Sequence, residues 1–269
     1  MTVLRSVEVT RLSNSPAHFP FSVPFARAGA SIDLAPLTFL VGENGSGKST
    51  FLEALACAIG SITVGADSVQ TDPTLADVRA FAAKCIKLTW NKRSKKGFFL
   101  RAEDFFGYAR RMADTKAEME QGLRDVDSEY QNRSDYARSL AKLPYARSLH
   151  EMREDYGEGL DVNSHGEGFL KLFQARFTGE GVYLLDEPEA PLSPTRQLTL
   201  LSMMHAMLEK GAQFVIATHS PILLAYPGAL ILSFDSGAIQ PAAYETLEHV
   251  VVTRAFLENP KAYLRHLLE

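Results

Sequence analysis

The sequence predicts an α/β fold: a mostly parallel sheet flanked by helices, with an antiparallel β lobe at its N-terminal end and an inserted helical subdomain. Short apolar runs typical of buried strands recur at 37–41, 182–185, 213–217 and 229–234, and segments with helical spacing of apolar residues follow them. Strands that alternate with helices indicate a parallel sheet. Residues 102–160 are charged, rich in Ala, Arg and Glu and poor in β-branched residues, which favours inserted helices.

Length and composition are consistent with one domain. A chain of 269 residues that is 46% hydrophobic can bury a full core, so we expect a single domain over 1–269 with 102–160 inserted within it. The formal net charge of −4 gives no overall attraction to nucleic acid or to an anionic membrane. The sequence shows no apolar leader and no run of 18 apolar residues, so we expect a cytoplasmic protein with no membrane segment.

The N-terminal part of the chain predicts mostly strands. Residues 3–11 alternate between apolar and polar, and 21–34 predict one or two further strands. Residues 79–90 predict a helix that passes into a strand, and 98–101 predict the next strand. We expect these last two strands to pair as a hairpin around the basic turn 91–97. That turn is either a solvated surface loop or a contact for a nucleic-acid phosphate backbone.

The C-terminal part predicts helices between the later strands. Ser193 is a helix N-cap followed by Pro194 in the first turn, and this helix should end before Gly211. The tail, 244–269, predicts one or two amphipathic helices.

A phosphate-binding loop follows the first buried strand. Residues 42–50 match the pattern G-x-x-x-x-G-K-[ST] at every fixed position, between an apolar strand and a helical run. The glycines allow close approach of the backbone, and the N–H groups at the helix start hold the anion. Lys48 would contact the β- and γ-phosphates, and the Ser49 hydroxyl would bind Mg²⁺. The residues assigned to the nucleotide are Gly42, Glu43, Asn44, Gly45, Ser46, Gly47, Lys48, Ser49 and Thr50.

Two adjacent carboxylates end a later buried strand. Asp186 and Glu187 follow an apolar run, and side chains that alternate along a strand point in different directions. Asp186 can therefore support Mg²⁺ while Glu187 orients and polarises the attacking water. The alternative is that both residues cap the next helix.

Two further polar segments are candidates for phosphate contacts. His219 follows the predicted strand 213–217, at the edge of the sheet where ligands of α/β proteins bind. This position favours a γ-phosphate contact over a purely structural histidine. The turn 163–168 contains glycine and opens a helix, so it is either an anion site or an ordinary N-cap at Ser164.

These motifs occur in a fixed order that resembles a known superfamily. The phosphate loop is followed by Ser-His-Gly-Glu at 164–167, Leu-Leu-Asp-Glu-Pro-Glu-Ala-Pro-Leu-Ser-Pro at 184–194 and Ala-Thr-His-Ser-Pro at 217–221. Together they resemble the ABC-type P-loop ATPases. More narrowly, the chain is similar to small stand-alone bacterial ATPases related to the chromosome-maintenance and recombination-repair ATPases, over most of its length except much of 102–160.

The resemblance implies ATP and Mg²⁺ as cofactors and roles for individual residues. Residues 42–50 match the Walker A loop, and Asp186 with Glu187 matches the Walker B pair, with Glu187 as general base. Lys48, Glu187 and His219 are then the catalytic residues, with His219 as the switch histidine. The predicted metal ligands are Ser49 and Asp186.

The resemblance also implies that the active unit is a dimer. Residues 164–167 match the signature motif in a variant form, so Ser164, Gly166 and Glu167 would bind the ATP held by a second copy of the chain. Residues 189–193 fall at the D-loop, which contacts the partner subunit, and Pro191 is unusual there. The expected partners are a second copy of the chain across ATP and a DNA or protein target.

One motif of the superfamily is missing. The Q-loop glutamine should follow the strand at 98–100, but the sequence has Arg101-Ala102-Glu103 there, so Glu103 is the candidate substitute. The leading function is an ATP-hydrolysing dimeric switch in DNA maintenance or defence. The alternatives are the ATPase subunit of a membrane transporter and a slow nucleotide sensor that regulates a protein partner.

Overall fold

The structure is a computed structural model, and it describes residues 2–12, 17–64, 68–156 and 165–268. These residues form nine strands: β1 Leu4–Val9, β2 Ala30–Asp33, β3 Leu37–Val41, β4 Ile86–Trp90, β5 Phe99–Arg101, β6 Gly181–Asp186, β7 Ala212–Ala217, β8 Leu230–Ser233 and β9 Gln240–Pro241. The same residues form ten α-helices: α1 Pro24–Ala28, α2 Lys48–Ile59, α3 Ala76–Cys85, α4 Ala102–Glu129, α5 Asp135–Tyr156, α6 His165–Arg176, α7 Pro194–Glu209, α8 Pro221–Leu224, α9 Glu248–Glu258 and α10 Pro260–Leu268.

The larger sheet has the strand order β5-β6-β7-β3-β8-β9. Its strands are parallel except for the short antiparallel β9, so the predicted mostly parallel sheet is confirmed. Every residue of β3, β6 and β7 is buried, because helices cover both faces of the sheet. The carboxyl ends of the parallel strands therefore meet at one edge, and the loops that follow them lie side by side.

The smaller sheet is antiparallel, with the order β2-β1-β4, and it confirms the predicted N-terminal β lobe. Gln213 of β7 joins the two sheets from a position with no solvent exposure. Its Oε1 accepts a hydrogen bond of 2.7 Å from Leu4 N, and its Nε2 donates to Leu4 O at 2.9 Å and to Ala35 O at 3.1 Å.

The segment 21–34 contains one strand, not two, because its first half is helical. Pro24 at the first helical position fixes a φ that suits helix α1. Gly29 then ends α1 with a φ of +72°, and its N–H donates to Phe25 O. The strand prediction was therefore wrong for 21–28, where the ring of Phe25 packs edge-to-face on Phe51 at 5.6 Å.

The hairpin predicted around 91–97 was also wrong. Strand β4 pairs with β1 in the antiparallel sheet, whereas β5 pairs in parallel with β6. Between them the chain passes against β6, where Val182 N donates to Lys96 O at 3.1 Å. A Cβ on Gly97 would lie 1.9 Å from Val182 O, so glycine is required for this close approach.

The segment 102–160 contains the two long helices α4 and α5, as its composition predicts; its status as an insertion within a single domain stays a prediction. The tail forms α9 and α10, in agreement with the predicted helices. No helix in the described ranges has both the length and the apolar character needed to cross a bilayer.

Candidate functional site

Three strand ends bring the predicted nucleotide-binding residues to one edge of the parallel sheet. The loop 42–50 follows β3, Asp186 ends β6 and is followed by Glu187, and His219 lies just beyond β7. One cavity of about 1030 Å³ is lined by residues 42–46, His219 and the turn after β8. A second of about 450 Å³ is lined by Glu43, Asn44, Glu187 and His219, so His219 borders both cavities.

The phosphate loop has the backbone geometry that its glycines predict. Gly42, Gly45 and Gly47 have φ of +141°, +81° and +102°, and α2 begins at the next residue. The Lys48 ammonium donates to Gly42 O at 2.7 Å and to Glu43 O at 3.0 Å. Burial lowers the pKa of Lys48, while nearby carboxylates, that of Glu187 first, oppose this shift. The loop thus encloses a cation at the start of a helix, an arrangement suited to phosphate.

Asp186 lies beside the phosphate loop and is buried, with 8% of its surface exposed. Burial raises the pKa of Asp186 to about 7, against a hydrogen bond with Ser49 and the charge of Lys48, which lower it. Its Oδ1 is buried and has no hydrogen-bond partner among the described residues. A divalent cation between Asp186 and Ser49 would satisfy this oxygen and stabilise the ionised carboxylate.

The donor set suits magnesium better than a metal held by protein alone. Among residues 2–12, 17–64, 68–156 and 165–268, no three His, Cys, Asp or Glu side chains form a metal-binding group. Mg²⁺ is commonly held by one or two protein oxygens, with phosphate oxygens and water completing its shell. The residues present therefore fit Mg²⁺ together with a nucleotide.

Glu187 has an unusual backbone conformation. Its φ is +49°, and it is the single non-glycine residue of the described chain with a positive φ. Its N–H donates to Ala217 O on β7 at 2.9 Å, which holds the turn in place. The side chain is about half exposed and its Oε1 lies 3.9 Å from His219 Nε2. Asp186 is therefore buried while Glu187 is half exposed, and the left-handed turn at Glu187, not strand alternation, separates the directions of the two side chains.

Two carboxylates that the sequence reasoning did not single out support this edge. Glu189 Oε1 accepts hydrogen bonds of 2.7 Å from both Thr218 Oγ1 and His219 N, and burial raises the pKa of Glu189. Asp235, after β8, accepts a 2.7 Å hydrogen bond from Glu43 N. The sequence contains a signal for Glu189, which lies in the matched D-loop segment. It contains none for Asp235, which is 192 residues from its partner.

Of the signature residues, the structure describes Gly166 and Glu167, and neither is among the residues that line the two cavities at the phosphate loop of their own chain. Ser164 lies outside the described residues. A Cβ on Gly166 would lie 2.7 Å from Pro191 O, so the first turn of α6 packs against the segment that precedes α7. Glu167 is about half exposed and lies 3.7 Å from Lys171 Nζ.

Arg101 occupies the region where the Q-loop glutamine was expected. Its guanidinium lies 3.1 Å from Glu53 on α2, 2.7 Å from Asp104 and 3.7 Å from Asp72, and its side chain is 14% exposed. Glu103, the candidate substitute, is 76% exposed and lies 3.6 Å from Arg101 Nε. The arginine, and not Glu103, therefore joins the start of α4 to the helix of the phosphate loop.

Comparisons with known proteins agree with this fold. The family model described as "AAA domain" matches residues 21–178, which is more than half of the chain. An SMC head domain bound to the C-terminal winged-helix domain of ScpA superposes with a TM-score of 0.50 at 12% identity, covering 89% of this chain and 97% of that chain. No curated protein matches the chain.

Two further solved structures have lower TM-scores. An SMC head domain with an extended coiled coil, from Pyrococcus furiosus, gives 0.48 at 12% identity over 97% of this chain and 100% of that chain. An ATP-binding cassette of an ABC transporter gives a TM-score of 0.47 at 17% identity, covering 96% of this chain and 98% of that chain. The family match identifies the chain as a member of the AAA domain family, and its phosphate loop and strand-end carboxylates resemble those of the ABC-type P-loop ATPases.

Proposed function

We propose that this ATPase hydrolyses ATP in a Mg²⁺-dependent reaction at the sheet edge formed by β3, β6 and β7. Lys48 and the N–H groups of 42–50 hold the phosphates, and Ser49 and Asp186 hold the metal. Mg²⁺, when bound, neutralises charge on the β- and γ-phosphate oxygens. The buried Oδ1 of Asp186, which has no hydrogen-bond partner in the described part of the chain, supports this assignment, since an unsatisfied oxygen on a buried carboxylate is costly.

Glu187 and His219 act on the side of the γ-phosphate. Glu187 is exposed to the smaller cavity, where its carboxylate can orient a water molecule for in-line attack and accept its proton. His219 lines the same cavity with Nε2 3.9 Å from Glu187 Oε1, so its ring can donate a hydrogen bond to a γ-phosphate oxygen. Asn44 lines this cavity as well and is the third polar group available there.

The ATPase works as a dimer that closes on ATP and opens after hydrolysis. The observation that carries this proposal is the position of α6, whose first turn packs on Pro191 and does not line the cavities at its own phosphate loop. The signature residues Ser164, Gly166 and Glu167 then serve the ATP bound by a second copy. Charge on the transferred phosphate would thus be stabilised from both subunits.

Glu187→Gln tests both parts of the proposal. The amide keeps the size of the side chain but accepts no proton, so turnover should fall by about a hundredfold or more, while ATP still binds. Light scattering should then show an ATP-dependent dimer that persists. The control is Glu209→Gln on the exposed surface of α7, which should behave as wild type. Unchanged turnover in Glu187→Gln would refute the role of Glu187, and a monomer with bound ATP would refute the dimer.

The target of the switch is DNA or a protein that handles DNA, in maintenance or defence. Four basic residues are exposed within 91–97, and among the described residues Lys92 alone of the four has an ion-pair partner, Glu180 at 2.7 Å. An exposed basic segment can follow a phosphate backbone in a salt-dependent manner. Turnover with and without duplex DNA, at two salt concentrations, tests this. Stimulation that salt abolishes supports a DNA target, whereas ATP binding with negligible turnover under all conditions supports the slow sensor.

A further inference from the structure

A second histidine lies close to His219 at the edge of the phosphate loop. His249 is in the first turn of α9, in the C-terminal part of the chain beyond the 21–178 family match. It lines the 1030 Å³ cavity together with residues 42–46 and His219. The two imidazole rings meet edge-to-face, with centroids 6.1 Å apart and an interplanar angle of 68°. Helix α9 therefore places an aromatic ring against His219, the proposed γ-phosphate contact.

The backbone N–H of His219 is hydrogen-bonded, whereas its ring Nε2 is not bonded to any described residue. The N–H of His219 donates to Glu189 Oε1 at 2.7 Å. Its ring Nε2 has no hydrogen-bond partner among the described residues, and Glu187 Oε1 lies 3.9 Å from it. The ring borders the small cavity on the side of Glu187 and the large cavity on the side of His249. Rotation into the large cavity would carry the ring away from Glu187.

We propose that His249 is a positioning residue for His219, because its ring blocks this rotation and keeps the His219 imidazole beside Glu187. The inference rests on the role of His219 in the proposed function and adds α9 to the elements that build the site. Aromatic rings in contact prefer an edge-to-face or offset arrangement, so the ring of His249 favours one orientation of the His219 ring. The contact acts through ring shape and not through the nitrogen atoms of His249.

The charges around His249 suit a neutral ring. Burial lowers the pKa of His249, and His219 and Lys48 lower it further, while Asp235 and Glu248 oppose the shift. A neutral His249 ring can pack against His219 without charge repulsion, whether His219 is neutral or protonated. Nε2 of His249 is also buried and has no hydrogen-bond partner among the described residues. A direct contact between this nitrogen and the ligand is therefore the alternative to a positioning role, and the Phe variant below distinguishes the two.

Three substitutions at His249 test the proposal in the full-length chain. His249→Ala and His249→Gln both remove the ring, so each should lower kcat about three- to tenfold with KM nearly unchanged, the loss expected for one edge-to-face contact. His249→Phe keeps a ring without nitrogen and should restore most of this loss. Thermal unfolding of each variant checks that the fold is intact. His205 is an exposed histidine of α7 whose ring is hydrogen-bonded to Tyr226 Oη. His205→Ala is therefore the matched control and should keep the wild-type kcat.

A double-mutant cycle with His219→Ala separates the possible failures. If His249 acts through His219, then His249→Ala should reduce kcat no further in a chain that already carries His219→Ala. Equal losses in both backgrounds, or a Phe variant as impaired as the Ala variant, would overturn the positioning role. The positioning role would also be overturned if His249→Ala kept the wild-type kcat while His219→Ala lowered it. Wild-type turnover in His219→Ala would instead refute the proposed function of His219, and the inference with it.

Discussion

Replacing Asp186 with Asn should change how the stability of the metal-free protein depends on pH. Burial raises the pKa of the Asp186 carboxyl from 3.8 to about 7. The unfolded chain loses this proton near pH 3.8, whereas the folded chain keeps it up to about pH 7. The raised pKa therefore contributes stability that is fully present below pH 3.8 and is lost as the pH rises through about 7.

The size of the effect follows from the pKa. At pH 5 the carboxyl is about two units below its folded-state pKa and is already ionised in the unfolded chain, so it stabilises the fold by about 2.5 kcal/mol. At pH 8 this contribution is gone. Asn does not titrate, so the stability of Asp186→Asn relative to wild type should be more favourable at pH 8 than at pH 5 by about 2.5 kcal/mol.

Urea unfolding at the two pH values, with a chelator and without nucleotide, measures this difference. The control is Asp77→Asn in the exposed first turn of α3, which should show the same stability relative to wild type at both pH values. An Asp186→Asn variant whose relative stability does not change with pH would refute the account of a buried, protonated carboxyl. The same variant should lose Mg²⁺-dependent ATP hydrolysis, because the amide is a poor metal ligand.

Three other substitutions test backbone strain, close packing and the support of His219. Glu187→Gly should be more stable than Glu187→Ala by about 1 kcal/mol, since glycine adopts φ of +49° without strain; equal urea midpoints would argue against strain. Gly97→Ala should lower the free energy of unfolding by about 3 kcal/mol or more, because its Cβ would collide with Val182 O, and a wild-type melting temperature would contradict this. Glu189→Ala should lower kcat and cost about 1 kcal/mol of stability by leaving two partly buried donors unpaired, whereas Glu189→Gln keeps an acceptor oxygen; equal effects of the two variants would count against positioning of His219.

The parts of the fold that depend on local pattern were predictable. The apolar runs predicted β3, β6, β7 and β8, and the parallel sheet they form brings the phosphate loop and Asp186 to one edge. The motif residues end strands, so their approximate meeting point follows from topology alone. The roles assigned to these residues stay predictions until the variants are measured.

The parts that depend on distant partners were not predictable. Adjacent strands β4 and β5 look like a hairpin, and only their pairing with β1 and β6 shows that they belong to different sheets. Asp235 and His249 reach the phosphate loop from the C-terminal part of the chain, and no local pattern distinguishes them from surface residues. Helix α1 is five residues long, too short for a periodic pattern to separate it from a strand.

The side-chain amide of Gln213 affects the cooperativity of unfolding, because it links the two sheets. It fills the place of a missing peptide group beside Leu4, at the point where β2 no longer pairs with β1. Separation of the two sheets would leave the N–H and C=O of Leu4, the C=O of Ala35 and the amide itself without these hydrogen bonds, and Leu4 and Gln213 are fully buried. The sheets therefore form one cooperative unit that opens in a single transition. Slow hydrogen exchange at Leu4 N–H should match that of the central strands β3 and β7.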